Sequence, residues 1–176
     1  TIITDRNLQT IKMRLKKTSY ILLASVTTLF FSCDKKRVFD QYAKLNGTWS
    51  QKDTLSFSFE QKDTVSAYNL FLNIRDNADY PFNNLFVIVK MENPDNEIKV
   101  DTLEYAMANP DGTLMGEGFS DIKENKLWYQ ENFVFKKSGK YKVFVTHALR
   151  ETGSIIGVEV LPGITEVGFR IEKTEE

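Results

Sequence analysis

Apolar and polar residues alternate with a period of two along most of this chain, a pattern that suits half-buried β-strands and little else. Leu55, Phe57 and Phe59 alternate with Thr54, Ser56, Ser58 and Glu60, and Tyr68, Leu70, Leu72 and Ile74 face away from Asn69, Phe71, Asn73 and Arg75. Leu85, Val87, Val89 and Met91 lie in a nearly continuous apolar run, as expected of a central strand. Further strands are expected at 98–105, 127–135, 140–149, 155–160 and 166–172. Turn chemistry separates them: Asn77 to Pro81, Asn93-Pro94-Asp95-Asn96, Asn109-Pro110-Asp111-Gly112, Ser138-Gly139 and Pro162-Gly163. Some eight short strands without a convincing amphipathic helix predict an all-β fold, a single antiparallel β-sandwich of immunoglobulin-like or jelly-roll type. Periodicity leaves the strand order open.

The N-terminal region follows another rule. Arg14 to Lys17 form a cationic cluster, and Tyr20 to Phe31 is an uncharged, mainly apolar run of twelve residues followed by Ser32 and Cys33. A transmembrane helix needs about 20 apolar residues, so this run is too short to span a bilayer. A small residue before a cysteine, after such a run, predicts a bacterial lipoprotein signal with Cys33 as the acylated N-terminus of the mature chain; an ordinary signal peptide with a chance cysteine is the alternative. Each buried CH₂ contributes about 0.8 kcal/mol, so several acyl chains make an effectively permanent anchor. Residues 1–12 precede Met13 and are set aside as an upstream extension. The expected organisation is then a signal peptide at 13–32, a lipidated tether at 33–46 and the β-sandwich at 47–176. Val38, Phe39 and Tyr42 are the tether residues able to dock on the domain.

Charge and composition remove several function classes. Residues 1–33 hold five basic side chains and one acidic, which leaves 18 basic against 23 acidic from Asp34 onward, a net of −5. Nucleic acid is therefore not an expected partner. With one cysteine there is no internal disulfide and no CxxC metal site. His147 is the only histidine, and its register with Tyr141, Val143, Val145 and Leu149 puts it on an apolar strand face, where packing explains it better than catalysis. Pairs such as Glu60 with Asp63, or Glu117 with Asp121, read as solvated faces rather than glycosidase carboxylates. Gly112 to Gly118 lacks the Gly-Lys-Ser/Thr ending of a phosphate loop and reads as a mobile loop or bulged hairpin, and Asn93 to Asn96 lacks EF-hand spacing. No catalytic residue, cofactor or metal is expected. The candidates for contact with a partner are Trp49, Phe71, Trp128 and Tyr129, although filling the sandwich is the competing role for the two tryptophans.

Several stretches carry a family resemblance. Tyr68 to Arg75, Tyr80-Pro81-Phe82-Asn83-Asn84-Leu85, Asp101-Thr102-Leu103, residues 116–135 and residues 161–173 resemble, in order, the gliding-motility lipoprotein GldH family of Bacteroidota. That resemblance implies a single-domain, non-catalytic lipoprotein on the periplasmic face of the outer membrane, needed for surface gliding and associated with type IX secretion. The implied role is assembly or stabilisation of that apparatus by docking to other envelope proteins. A glycan- or small-ligand-binding lipoprotein is the alternative, and an envelope hydrolase a weaker third reading. Asp53-Thr54-Leu55, Asp63-Thr64-Val65 and Asp101-Thr102-Leu103 also resemble the Asp-Ser/Thr-apolar acceptor for O-glycosylation in the same lineage, which marks Thr54, Thr64 and Thr102. Strand entry explains the same motif, with Asp closing a turn and β-branched Thr entering the sheet.

Overall fold

The computed structural model describes residues 36–118, 121–151 and 153–174; the export segment expected at 13–32 and Cys33 lie outside the described residues. The described chain forms ten strands: β1 (Arg37–Lys44), β2 (Thr48–Ser50), β3 (Leu55–Gln61), β4 (Ala67–Asp76), β5 (Asn84–Glu92), β6 (Ile98–Ala106), β7 (Lys123–Val134), β8 (Gly139–His147), β9 (Val160–Pro162) and β10 (Ile164–Lys173). One sheet runs β1-β10-β4-β7 and the other β3-β8-β5-β6, while β2 and β9 pair with each other. All pairings are antiparallel.

With the three-residue strands β2 and β9 set aside, the eight long strands pair first with last, second with seventh, third with sixth and fourth with fifth. A single long hairpin, rolled so that alternate pairs fall in opposite sheets, produces this order. It is the jelly-roll arrangement, which decides between the two sandwich types left open by periodicity.

The alternation in β3, β5 and β8 becomes the inner face directly. Phe57, Val87, Val89, Val143 and Val145 are buried, and they meet Leu70, Leu72 and Ile74 of β4 and Phe169 of β10. Burying side chains of this size contributes about 1.5–3 kcal/mol each. Phe169 is a hub, its ring 6.0–6.3 Å from those of Phe39, Phe57, Phe59 and Tyr129. Tyr105 Oη donates to the Trp128 carbonyl (2.7 Å) and Tyr129 Oη to Asp101 Oδ2 (2.9 Å), which ties edge strands β6 and β7 together across one side of the sandwich.

Three expectations change. Residues 37–44, read as tether, are edge strand β1. Their charged composition hid a strand because Asp40 and Tyr42 serve the open face of the sheet, while Phe39 packs against Phe59 at 5.3 Å. Residues 155–159 are loop, with Ile155 and Ile156 at 90% and 74% exposure, so apolar side chains there have no sheet to enter. Strand β7 starts at Lys123 rather than 127, because the polar residues Lys123 to Lys126 pair with the end of β4. The 107–118 segment is hairpin-like, with bridges Ala108–Leu114 and Glu117–Glu124, and the turn at Asn93 to Asn96 is closed by Asn93 N to Glu97 O at 3.0 Å.

Candidate docking face

Outward positions of β1, β10, β4 and β7 fall into cross-strand rows, because directly opposed residues of antiparallel strands share a face. Lys44, Glu166, Arg75 and Glu124 make one row, Tyr42, Gly168, Asn73 and Lys126 the next, and Asp40, Arg170, Phe71 and Trp128 a third.

The middle row is organised by the absence of a side chain. A Cβ at Gly168 would lie 2.9 Å from Cδ1 and Cε1 of Tyr42, so the Tyr42 ring lies across the glycine. The Tyr42 hydroxyl donates to Glu124 Oε1 and accepts from Asn73 Nδ2, both at 2.7 Å. Burial, then the hydrogen bond to Glu124, pushes the phenol up to about 12. The Arg75 guanidinium sits 4.4 Å above the ring, its Nε 2.9 Å from Glu124 Oε2 and its other arm on Glu166.

The third row is equally paired. Arg170 contacts Asp40 at 3.0 Å and Glu172 at 2.6 Å, and Lys126 reaches the same Glu172 oxygen at 2.7 Å. Burial works to raise the Glu172 carboxyl, but its hydrogen bonds to Lys126 and Arg170 outweigh that and hold it below the usual range. Lys126 Nζ also lies 4.1 Å over the Phe71 ring, and Trp128 covers the rest of that ring with centroids 4.5 Å apart. Phe71 therefore points outward yet is buried, whereas Trp128 is 52% exposed.

The aromatic candidates thus separate. Trp128 is accessible, and Phe71 is the platform beneath it. Trp49 and Tyr129 belong to the core: Trp49 is fully buried with its ring 5.3 Å from that of His147 and its Nε1 donating to Asp53 O, and Tyr129 is buried at Asp101. Neither meets a partner directly, because the inner face needs their volume. His147 is buried, and burial pushes its pKa down against a weaker pull from the Trp49 backbone, so it is neutral packing. Thr54, Thr64 and Thr102 are all exposed. Asp63 closes its turn through Oδ1, which accepts from the backbone of Val65 (2.9 Å) and Ser66 (3.0 Å). Among the described residues no three of His, Cys, Asp and Glu converge to hold a metal ion. The cross-strand ion pairs were missed from sequence; once strand boundaries are set, charge complementarity at Arg75/Glu124 and Asp40/Arg170 is the signal that reveals them.

The GldH lipoprotein family model matches residues 37–171. Over 163 residues the chain is 56% identical to the gliding motility lipoprotein GldH of Flavobacterium johnsoniae, covering 93% of this chain and 100% of that one. It is 48% identical over 147 residues to a gliding motility lipoprotein GldH homolog of Christiangramia forsetii, covering 84% and 90%. Solved structures align loosely. A 4-O-methyl-alpha-glucuronidase with specificity for decorated arabinogalactans matches at 13% identity and TM-score 0.43, over 82% of this chain and 18% of that one. The infectious bursal disease virus VP2 subviral particle matches at 12% and 0.39, over 80% and 33%. The chain spans a third or less of those proteins, and the likeness carries no functional argument. From residue 37 to 171, then, the strands described above are those of a known family, and the chain belongs to the GldH lipoprotein family.

Proposed function

We propose that this chain is an envelope lipoprotein of the gliding-motility machinery, acylated at Cys33, that works without catalysis by docking other envelope proteins on the outer face of the β1-β10-β4-β7 sheet. Family membership and the names of its relatives support the gliding role. The observation that carries the docking is Trp128: a half-exposed indole packed on Phe71, whose ring also lies under Lys126, beside a lattice of cross-strand ion pairs. An anchor already held in place loses little entropy on binding, and tryptophan is a preferred hot-spot residue. The partners in this reading belong to the gliding and type IX secretion apparatus, and the protein sits on the periplasmic face of the outer membrane. The exposed Thr54, Thr64 and Thr102 are available for O-glycosylation there.

The test is complementation. A Flavobacterium johnsoniae strain lacking its GldH relative is given this chain, and colony spreading and type IX-dependent secretion are measured. Wild type is expected to restore both and Trp128→Ala to fail at equal membrane abundance; full restoration by Trp128→Ala and Lys126→Glu alike would remove this face from the mechanism. A second reading, small-ligand or glycan binding, draws on an open depression of about 720 Å³ lined by Met115, Gly116, Glu117, Asn125 and Leu127. Saturable sugar binding that Glu117→Gln, at an exposed lining residue, abolishes would favour it.

A further inference from the structure

Connectivity defines two ends of the sandwich. At the near end lie the start of β1, the end of β10, and the connections 62–66, 93–97 and 135–138; at the far end lie 77–83, 107–122 and 148–159. The two are separated by the length of a nine-residue strand such as β8, about 30 Å. Only three residues separate Cys33 from Arg37, the first residue of β1. Four Cα steps reach at most about 14 Å. The headgroup layer consumes roughly 5–7 Å of that. A chain acylated at Cys33 therefore has no slack with which to hold its sheet away from the bilayer.

The geometry points to a domain that stands end-on, with the near end seated on the lipid surface and the far end directed away from it. This rests on Cys33 being the acylated residue. The surface at the near end fits a lipid headgroup layer. Val65 is 86% exposed at the tip of 62–66, and that tip is fixed by Asp63, which accepts from the Val65 and Ser66 amides and, at Oδ2, from the Tyr68 hydroxyl at 3.0 Å. Val38, Ile98 and Val134 are exposed at the same end, and a slot of about 290 Å³ runs between Ile98, Val134, Met91, Phe133 and Tyr141. Lys62 and Lys136 are exposed there and suit lipid phosphates, while Asp95 and Glu97 are engaged by Lys137.

Lying flat is disfavoured by reach and by charge. The outer face of β3-β8-β5-β6 presents half-buried Phe86, Ile88 and Phe144, but β1 belongs to the other sheet. Sheets pack about 10 Å apart, so the remaining tether cannot pass around the sandwich to lay that face down. The face of the β1 sheet carries the Arg75 and Arg170 ion pairs, charged groups that cost free energy to press into the acyl boundary of a bilayer.

The test uses the full chain in its native membrane. Cys33 is the only cysteine, and acylation blocks its thiol, so Val65→Cys, Ser56→Cys and Ile155→Cys each offer one site for a fluorophore. Intact mass establishes acylation, and quenching by lipid-borne nitroxide is compared with quenching by aqueous iodide. Several-fold stronger lipid-phase quenching at Val65 than at Ser56 and Ile155 is expected. Equal aqueous quenching at Val65 and Ile155 on acylated protein, or lipid-phase quenching at Ser56, overturns end-on seating while leaving the anchor intact. An unacylated mass removes the anchor and the seating together.

Discussion

The near end closes with connections of five, five and four residues, whereas the far end carries ones of seven, sixteen and twelve besides the β1-to-β3 crossing through β2, and the interiors behind them differ in kind. Behind the short connections is an aromatic plug: Phe135 packs against Phe59, Tyr68, Phe133 and Tyr141, with centroids 4.9–5.6 Å apart. Behind the long ones are two buried ionisable groups without an ion-pair partner among the described residues. Asp76 is fully buried with Oδ1 accepting from Asn125 Nδ2 at 2.8 Å, and His147 is buried beside Trp49. The far end also exposes Ile155, Ile156 and Ile122. Tight turns on an apolar plug make a rigid base, while Asp76 and His147, buried under the long loops, make the far end lose stability when either group ionises.

The comparison breaks first at the plug. Phe135→Ala should cost about 3–5 kcal/mol in urea unfolding, since it removes a fully buried ring with four aromatic neighbours. A loss near that of a surface substitution would mean the near end is not the rigid one. At the far end, Gly163 has φ +83° and a Cβ there would fall 2.3 Å from Tyr80 N, so Gly163→Ala should cost about 2–3 kcal/mol by the same assay.

Asp76 sharpens the contrast through pH. Burial raises its carboxyl from the ordinary 3.8 to about 6. A folded pKa above the unfolded one means that the native state holds the proton longer, so stability is complete below about pH 4 and is lost as pH rises through about 6. Asp76→Asn should then stabilise the domain by about 2 kcal/mol at pH 7 and by nothing near pH 3.5. Subtracting the wild-type curve cancels His147, whose lowered pKa acts in the opposite sense and removes stability as pH falls below its ordinary 6.5. A flat difference between the two curves would place the pH response elsewhere.

On the outer face, Tyr42→Phe deletes the hydrogen bonds to Glu124 and Asn73 but keeps the ring over Gly168, and should cost about 1 kcal/mol. The smallest effect belongs to the far tip: Ile155→Ser with Ile156→Ser should shift stability by less than about 0.5 kcal/mol. A larger loss would show that these side chains pack, and the far end would no longer differ from the near one in that respect.

Legibility followed burial. Strands β3, β5 and β8 were readable because one face of each is apolar and the other faces water, so the period of the sequence is the period of the environment. Strand β1 was not, since an edge strand whose outward residues enter an ion-pair lattice reads like a charged linker. Ile155 and Ile156 misled in the opposite direction: hydrophobicity was present without a sheet to receive it. At the candidate site, residue type identified four aromatics. Which one stayed accessible depended on packing that brings Phe71 under Trp128 and sends Trp49 and Tyr129 inward.

By itself the sequence determined an all-β domain with the greater part of its strands, its turn positions and its inner face, because alternation and turn chemistry are local properties of a few consecutive residues. The tertiary structure decided the jelly-roll order, the place of β1 at the sheet edge, the glycine at 168 roofed by Tyr42, and the contrast between the two ends. Those depend on which strands lie opposite one another. That pairing joins residues as far apart as Asp40 and Arg170, and no local pattern records it.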